Sequence, residues 1–380
     1  MERERQPVLL LDGRILAYRR GGIARYVAEL AAHLLAAAPD LTVRVLVNRT
    51  GVDAGLPTIR VMTPPHHRVE RWLLGLEVLR HRPRLLHSPD FIPPVTPGVA
   101  RVVTVHDLAF LSDPSLLAAD GLRYYGQLPR AIHAARAVIT VSGTVREQVI
   151  ERLGVPPEKI HAVYNGVADT FFAEPSEPPS HTIAREAPEI APALLAGGRA
   201  IILIVGTVEP RKRHVLLATA AADLATRRPD LAPLLVVAGQ PGWRSEEATA
   251  AIRKLEQAGL AIWLTDVGDG LLQALYRTAT VLALPSFDEG FGLPLAEAMA
   301  TGLPAVVAKR GALPEVAGDA AVLVDEGDPA TWAEVLERVF DDAALRHDLA
   351  ARGRERAAQF RWERTARETA AIYRRVLAGD

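Results

Sequence analysis

The chain of 380 residues contains no cysteine. This absence excludes disulfides, thiolate-ligated zinc and a cysteine nucleophile, and it is consistent with a reducing compartment. Formal charges nearly cancel, because 44 basic residues stand against 45 acidic ones, so bulk charge gives no argument for nucleic acid as a partner. The apolar runs fall well short of the roughly 18 residues that a membrane-spanning helix needs, and the N-terminus has no signal-type core. These absences predict a cytoplasmic protein.

Three kinds of motif are also missing from the chain. The glycines do not form the spaced G-x-G-x-x-G fingerprint, which disfavours a nicotinamide or flavin enzyme. The G-x-S-x-G elbow of the serine hydrolases is absent. Histidines and carboxylates are too scattered to give a metal-ligand spacing, so we expect neither a metal nor a cofactor.

Short apolar strands alternate with helical stretches along most of the chain. Length and a hydrophobic content of 49% predict two domains. We therefore predict an α/β protein with two doubly wound domains and a ligand site in the cleft between them. The predicted boundaries are residues 1–172 and 199–360 for the domains, a proline- and glutamate-rich linker over 173–198, and a C-terminal helix over 361–380 that could return to the first domain.

Two glutamates stand eight positions apart in the segment Glu289-Gly-Phe-Gly-Leu-Pro-Leu-Ala-Glu297. An apolar strand precedes them, which predicts Glu289 in a loop and Glu297 in the first turn of a short helix. Pro294 suits the first helical position, and Thr301-Gly302 suits the helix end. Because open α/β sheets bind ligands at the carboxyl ends of their strands, both carboxylates are candidate ligand contacts; the alternative is an ordinary strand-to-helix turn.

Further candidates lie at other strand ends. Arg211 and Lys212 precede a predicted helix, so they and its amide groups could bind an anion, although such a pair is often only solvated charge. His106 and Asp107 end a strand and suit either a site or a structural role. Gly21-Gly22 opens the first helix and could present amides to an anion or form a simple turn.

Four segments, in this order along the chain, resemble the family 4 retaining glycosyltransferases with the GT-B fold. They are Val105-His-Asp107, Val163-Tyr-Asn-Gly-Val167, Gly206-Thr-Val-Glu-Pro-Arg-Lys212 and the segment with the two glutamates. The similarity runs from about Gly21 to the C-terminus. It implies two Rossmann-like domains facing each other across a cleft, and transfer of a hexose from a nucleotide diphosphosugar to a hydroxyl group. The E-P-R-K and V-H-D-L segments are most similar to mannosyl- and rhamnosyltransferases of bacterial polysaccharide assembly.

The resemblance also implies residue roles. Lys212 and Arg211 would neutralise the donor diphosphate without a metal, Glu289 would lie beside the transferred sugar with His106, and Asp107 would help to place the acceptor. Many family members carry an arginine where this chain has Thr207, which leaves Arg211 as the expected second cation. The remaining donor contacts would be the ribose-binding Glu297 together with Gly21, Gly22, Gly206, Gly239, Val267, Gly290, Phe291, Gly292 and Leu293.

The substrate remains open at this point. Mannose, with GDP-mannose as donor, is expected first, followed by rhamnose or glucose; the acceptor could be a saccharide or a polyprenyl-linked molecule, which would bring the protein to the inner membrane face. Acceptor loops are expected near residues 18–20, 64–68 and 108–115. A sugar-nucleotide epimerase, a phosphorylase-type enzyme and a non-catalytic nucleotide-sugar sensor are the alternatives on the same fold.

Overall fold

The computed structural model describes residues 8–17, 21–49, 52, 54–65, 69–90, 92–112, 125–325 and 327–379. The chain forms two compact units. The first unit consists of Met1–Gly166 and Arg361–Asp380, and the second consists of Val167–Phe360. The chain therefore leaves the first unit once and returns to it for its last helix.

The first unit is built on a parallel sheet that has seven strands within the described residues. In chain order they are β1 (Val8–Asp12), β2 (Thr42–Val47), β3 (Thr58–Arg60), β4 (Leu85–Ser88), β5 (Ala100–Val105), β6 (Ala137–Thr140) and β7 (Ile160–Ala162). Their order in the sheet is β3-β2-β1-β4-β5-β6-β7. The helices of this unit are α1 (Gly22–Ala37), α2 (Glu70–Leu79), α3 (Ala109–Ser112), α4 (Leu128–His133), α5 (Gly143–Leu153) and the last helix of the chain, α16 (Trp362–Ala378).

The second unit repeats this design with a six-stranded parallel sheet. Its strands are β8 (Ile201–Val205), β9 (Leu234–Ala238), β10 (Ala261–Leu264), β11 (Val281–Leu284), β12 (Ala305–Ala308) and β13 (Val322–Val324), in the order β10-β9-β8-β11-β12-β13. Its helices are α6 (Asp169–Phe172), α7 (Pro179–Glu186), α8 (Ala191–Leu195), α9 (His214–Arg227), α10 (Glu246–Gln257), α11 (Asp269–Thr278), α12 (Leu293–Thr301), α13 (Leu313–Ala317), α14 (Pro329–Asp341) and α15 (Ala343–Ala357). None of the helices in the described ranges has the length and apolar character needed to cross a membrane.

Both sheets reverse their order between the first and the fourth strand of the unit, at β1/β4 and at β8/β11. The central strands are apolar at successive positions because helices cover both faces of such a sheet. Leu9, Leu10 and Leu11 of β1, for example, are fully buried. The predicted doubly wound α/β class is confirmed, and each reversal marks the place where such sheets bind ligands.

The predicted linker over 173–198 is corrected by the structure. These residues carry α7 and α8 and belong to the second unit, whose boundary with the first lies at Gly166 and Val167 instead of residue 172. Ile183 is fully buried, and α7 packs against α11. Two of the prolines in this stretch, Pro179 and Pro192, stand in the first turn of α7 and α8, where a missing N–H costs little.

The last helix, α16, packs against α1 in the first unit. A buried polar chain ties it to the sheet. His87 lies with Nδ1 2.6 Å from the Tyr373 hydroxyl of α16 and with Nε2 2.8 Å from Thr104 Oγ1, which in turn lies 3.2 Å from the Tyr26 hydroxyl of α1. All four residues are fully buried, so each hydrogen bond replaces one that water would otherwise supply.

We expect Tyr373→Phe to lower the free energy of unfolding of the first unit by about 1–3 kcal/mol, because it leaves a buried imidazole nitrogen without its partner. Denaturant unfolding monitors the change. Tyr26→Phe is the matched variant and should cost less, since its longer bond leaves Thr104 still partnered by His87. Equal stability of Tyr373→Phe and the unsubstituted protein would contradict this account of the helix attachment.

Stability should also fall as the pH drops below the ordinary histidine pKa of about 6.5. Burial lowers the pKa of His87 to about 3 in the folded state. Between pH 6.5 and pH 3 the unfolded chain therefore binds one more proton than the folded chain, and acid stabilises the unfolded state. At pH 5 this linkage removes about 2 kcal/mol of stability relative to neutral pH. Unfolding curves at pH 7 and pH 5 measure the loss, to which His106 and His214, whose pKa values burial also lowers, contribute in the same direction. Equal stability at the two pH values would contradict a buried, neutral His87.

Candidate functional site

Two loops meet where the sheet of the second unit reverses. One follows β8 and includes the 3-10 turn Pro210–Lys212, and the other follows β11. Because β8 and β11 are parallel neighbours, their carboxyl ends lie side by side. The backbone N–H of Phe287 donates to the carbonyl oxygen of Arg211 at 2.8 Å, which fastens one loop to the other.

This junction brings Glu289, Lys212 and Arg211 into one ion cluster. Lys212 Nζ lies 2.5 Å from Glu289 Oε1, and Arg211 Nη1 lies 3.2 Å from Glu289 Oε2. Arg211 Nη1 also donates to the carbonyl oxygen of Asp288 at 2.7 Å. Glu289 and Lys212 are each only 7% exposed. The sequence-predicted carboxylate and cations are thus direct neighbours, one cation on each oxygen.

The charge of Glu289 is fixed by these neighbours. Burial would raise the pKa of its carboxyl group, but attraction to Lys212 and Arg211 outweighs burial and lowers the pKa to about 2. The carboxylate is therefore ionised throughout the neutral range. It can stabilise positive charge, whereas a carboxyl group that stays ionised cannot donate a proton as a general acid.

Glu209 holds Arg211 in place and is itself bonded by Trp243, and neither residue was a sequence candidate. Glu209 Oε1 accepts from Arg211 Nε at 3.1 Å and lies 2.9 Å from Nη2, while Oε2 accepts from Trp243 Nε1 at 3.2 Å. This pairing fixes the guanidinium plane against Glu289. The only available signal for Glu209 was its place in the E-P-R-K segment, and nothing in the sequence links Trp243 to it.

Two glycines allow the backbone to pack closely here. Gly206 has φ 138°, and a Cβ atom on it would sit 3.4 Å from Lys212 Cε. A Cβ atom on Gly239, at the end of β9, would lie 1.9 Å from the carbonyl oxygen of Gly206, so only glycine fits there. Both predicted glycines therefore shape the loop that carries Lys212.

Glu297 lies one turn further along its helix than the sequence predicted. Helix α12 begins at Leu293 after Gly292 with φ 87°, so Pro294 is its second residue and Glu297 falls in the second turn. Glu297 is 4% exposed, and its Oε2 accepts from the Tyr276 hydroxyl at 2.9 Å. The predicted helix end is confirmed, because α12 stops at Thr301 before Gly302 with φ 78°.

The residues between the two glutamates are mostly buried. Gly290 and Gly292 are buried, Leu293 is half-buried, and the ring of Phe291 packs edge-on against Phe360 at 5.3 Å. The Phe291 side chain therefore faces the core, and any ligand contact of this residue would use its backbone.

A third loop, after β12, also touches Glu289. Ala312 donates its N–H to the carbonyl oxygen of Glu289 at 2.8 Å. Gly311 has φ 54°, and a Cβ atom there would lie 2.6 Å from Glu289 N and O. Loops from three strand ends therefore meet at Glu289: the loop after β12 contacts its backbone, and the loop after β8 contacts its carboxylate.

Val267 is not part of the ion cluster. It is half-buried in the loop after β10, the edge strand, and just before α11. The same edge is tied to β9 by Trp263, whose Nε1 donates to the carbonyl oxygen of Gly239 at 2.8 Å. Val267 therefore lies at the same end of the sheet, separated from β8 by β9.

The other predicted contacts lie in the first unit. Gly21 is the exposed residue that precedes α1, and Gly22 is the first residue of that helix. His106 donates from Nε2 to the carbonyl oxygen of Pro89 at 2.9 Å, and burial lowers its pKa, so the ring is neutral at neutral pH. Asp107 Oδ1 accepts from Ala109 N at 3.2 Å and so caps α3.

Several expected acceptor residues lie outside the described residues: Tyr18, Arg19, Arg20, His66, His67, Arg68 and residues 113–115. Within the described ranges, histidine, aspartate and glutamate side chains nowhere form a group of three or more that could hold a metal ion.

Comparison with known proteins gives matches over both units. The profile "Glycosyltransferase Family 4" matches residues 20–171, and "Glycosyl transferases group 1" matches residues 187–356. The chain is 31% identical over 316 residues to O-antigen chain mannosyltransferase B of Escherichia coli, covering 81% of this chain and 78% of that protein. It is 30% identical over 401 residues to D-inositol 3-phosphate glycosyltransferase of Frankia alni, covering 94% and 95%. The match to the Nocardioides protein of the same name is 32% identical over 74% of this chain but spans only 63% of that protein.

Solved structures share the fold over nearly the whole chain. Sucrose-phosphate synthase from Thermosynechococcus elongatus has a TM-score of 0.76 at 22% identity, covering 99% of this chain and 100% of that one. WaaG, a glycosyltransferase involved in lipopolysaccharide biosynthesis, has a TM-score of 0.75 at 19% identity, covering 96% and 99%. Anabaena HepE in complex with UDP-glucose has a TM-score of 0.70 at 18% identity, covering 97% and 98%. At these identities the likeness shows the GT-B fold.

The ion cluster predicts a large stability cost for Lys212→Met, because it leaves a buried carboxylate with one cation instead of two. Breaking a buried pair costs about 3–5 kcal/mol, and the remaining Arg211 should place this variant at the lower end. Denaturant unfolding measures the loss. Lys309→Met is the matched control, because Lys309 forms an exposed pair with Asp325 and should change stability by less than about 1 kcal/mol. Equal losses in the two variants would show that the cluster does not hold the loops.

Proposed function

This chain belongs to glycosyltransferase family 4, and we propose that it transfers a hexose from a nucleotide diphosphosugar to an acceptor hydroxyl with retention at the anomeric carbon. The observation that carries the proposal is the pair of cations on Glu289 where β8 and β11 separate. A departing diphosphate gains negative charge during such a transfer, and fixed cations at a strand end are suited to stabilise it.

Lys212 and Arg211 are proposed to bind the donor diphosphate without a metal. Lys212 ends the 3-10 turn that leads into α9, so the helix N-terminus adds its field to the two side chains. Many family members carry an arginine at the position of Thr207, and Arg211 would supply that second positive charge here. Glu209 holds Arg211 in position. The carbon–oxygen bond to the diphosphate is the bond that these cations help to break.

Glu289 is proposed to lie beside the transferred sugar. Its pKa of about 2 keeps it negative, so it can stabilise the positive charge that develops at the anomeric carbon. Its two oxygens are already engaged by cations, which disfavours the role of a covalent nucleophile. We therefore favour attack on the same face of the sugar: the acceptor oxygen bonds to the anomeric carbon, and its proton passes to the departing phosphate oxygen.

Other residues of the second unit are proposed to bind the rest of the donor. Glu297, already oriented by Tyr276, accepts hydrogen bonds from the ribose hydroxyls, and Val267 borders the nucleobase. The backbone from Gly290 to Leu293 contacts the sugar or phosphate, with Gly206 and Gly239 shaping the loop below it. In the first unit, Gly21 and Gly22 would offer amides to the diphosphate, His106 would contact the sugar, and Asp107 would help to place the acceptor.

Mannose is the first candidate sugar, followed by rhamnose and glucose. The similarity to O-antigen chain mannosyltransferase B supports a mannosyl donor such as GDP-mannose and a saccharide or polyprenyl-linked acceptor. The similarity to D-inositol 3-phosphate glycosyltransferases keeps a smaller phosphorylated acceptor open. The cytoplasm is the proposed compartment, in keeping with the absence of cysteine.

Donor binding and turnover test the proposal together. We expect one base family among the GDP-, UDP- and dTDP-sugars to raise the melting temperature, with the free nucleotides as controls. At a hundredfold excess over Kd, the bound ligand adds about 2.7 kcal/mol to the free energy of unfolding. Lys212→Ala should abolish the shift, and Lys309→Ala should retain it. Glu289→Gln should keep much of the binding but lower turnover by about 10²–10³-fold, because it removes the negative charge beside the sugar.

The alternatives predict different products. An epimerase would convert the donor without an acceptor, and a sensor would bind the nucleotide sugar but leave it intact. Transfer that survives EDTA and gives a product with the donor's anomeric configuration by NMR supports the proposal. Failure of every nucleotide to stabilise the protein would refute it.

A further inference from the structure

A cavity of about 280 Å³ lies between the starts of α9 and α10 in the second unit. The charged and titratable residues on its wall are Glu209, Arg213, His214, Arg244 and Glu247. None of the residues that we assign to the donor or the acceptor lines it. Its volume is close to the lower limit of small-molecule pockets, which is about 300 Å³, so the cavity suits a small ligand.

His214 is the residue on this wall whose polar groups most need a ligand. It is only 2% exposed, and neither ring nitrogen has a hydrogen-bond partner among the described residues. Burial and the charge of Lys212 lower its pKa to about 4, against an opposing effect of the Glu209 backbone, whose carbonyl oxygen already accepts the Lys212 N–H at 3.0 Å. The neutral ring therefore offers one donor and one acceptor, and a buried polar group without a partner calls for an explanation. A ligand in the cavity would supply that partner.

The first turns of two helices also line the cavity. The residues that they contribute are Val215 and Leu216 of α9 and Glu247 and Ala248 of α10. The N-cap residues, Arg213 and Ser245, make no side-chain hydrogen bond to their helices. Because the first N–H groups of a helix have no partner within it and the helix start carries partial positive charge, both ends favour an anion.

Two arginines on the cavity wall have a left-handed backbone. Arg213 has φ 54° and Arg244 has φ 48°, and they are two of the four non-glycine residues with a positive φ in the described ranges. This conformation is strained for a residue with a Cβ atom, and such strain is concentrated at ligand sites. Arg213 is half-buried, and the guanidinium carbon of Arg244 lies 5.9 Å from the centre of the Trp243 ring. Both side chains therefore start from defined turns at the cavity.

The carboxylates on the wall do not cancel this positive charge. Glu209 is engaged on both oxygens, by Arg211 and by Trp243 Nε1. Glu247 is exposed, and the start of α10 stabilises its charge. Two arginines and two helix starts therefore outweigh one carboxylate. A phosphoryl group suits the cavity best, because its several oxygens can accept from both guanidinium groups and from helix amides at once.

We propose that this cavity binds the phosphoryl group of a small phosphate monoester, with Arg213 and Arg244 on the phosphate oxygens and His214 hydrogen-bonded to the ligand. Inorganic phosphate has the same charge chemistry. The monoester is the better match, because the neutral imidazole offers an acceptor for a hydroxyl group as well as a donor. The site goes beyond the transferase reaction and stands without it, although Glu209 connects it with the ion cluster by holding Arg211.

Isothermal titration calorimetry of the full chain tests the site. Glycerol 3-phosphate should bind more tightly than inorganic phosphate, and glycerol should not bind. Arg213→Asn combined with Arg244→Asn should lower the association constant about 100-fold, because it removes two charged hydrogen-bond donors, while asparagine tolerates the left-handed backbone. Arg82→Asn is the matched control: Arg82 is exposed in the first unit, has φ 47°, and should bind the ligand as the unsubstituted protein does.

Two further variants locate the bound phosphate. Lys212→Met removes a cation of the proposed donor site and should keep most of the phosphate binding, so this result does not depend on whether any nucleotide binds. His214→Asn should lower the affinity about tenfold. It should also remove the imidazole NMR signals that the ligand shifts in the unsubstituted protein.

Circular dichroism establishes that each variant is folded. Three results would each overturn the proposal. The first is absence of binding by both phosphate compounds. The second is equal binding in the double arginine variant and the Arg82→Asn control. The third is binding that Lys212→Met abolishes but the double arginine variant retains, which would place the phosphate at the ion cluster.

Discussion

The ionised carboxylate of Glu289 is buried, and the loops of the second unit are arranged to make that possible. An unpaired carboxylate at this depth would cost several kcal/mol, so the cations must stand on both oxygens. Lys212 and Arg211 satisfy this demand from the loop after β8, and Ala312 binds the backbone of the same residue from the loop after β12. The glycine conformations and the fixed position of Arg211 follow from that arrangement.

The first unit has the opposite charge arrangement at its own reversal. Arg14 follows β1 and is buried between the carboxylates of Asp12, at 2.7 Å, and Glu70, at 2.6 Å. One cation thus stands between two anions, whereas the second unit places one anion between two cations. Two sheets of the same order therefore differ in charge balance at these strand ends: the group around Arg14 is net negative, whereas the group around Glu289 is neutral once the pairing of Arg211 with Glu209 is counted. In the family 4 framework, the less negative end is the one suited to the donor phosphates.

The sequence was sufficient for the fold class and for placing Lys212 and Glu289 each after an apolar strand, because such strands and the motifs at their ends are local signals; it did not predict that the two side chains form an ion pair. Side-chain partners distant in sequence were not accessible in this way: Tyr276 binds Glu297, and Trp243 binds Glu209, without any spacing that links them. The linker prediction failed for a related reason. Composition over residues 173–198 suggested a loop, but burial of Ile183 decided the structure, and burial depends on a helix about 90 residues later in the chain.

The last helix belongs to the first unit, so the first unit cannot be completed until the end of the chain has been synthesised. The first unit is interrupted by the whole of the second, so a chain that emerges from the ribosome N-terminus first can complete the second fold before α16 exists. Until then Tyr26 and His87 lack the Trp362 and Tyr373 rings that cover them. The first unit therefore begins its sheet earliest and closes its core last, and during that interval its incomplete surface is the part of the nascent chain that chaperones would most need to shield.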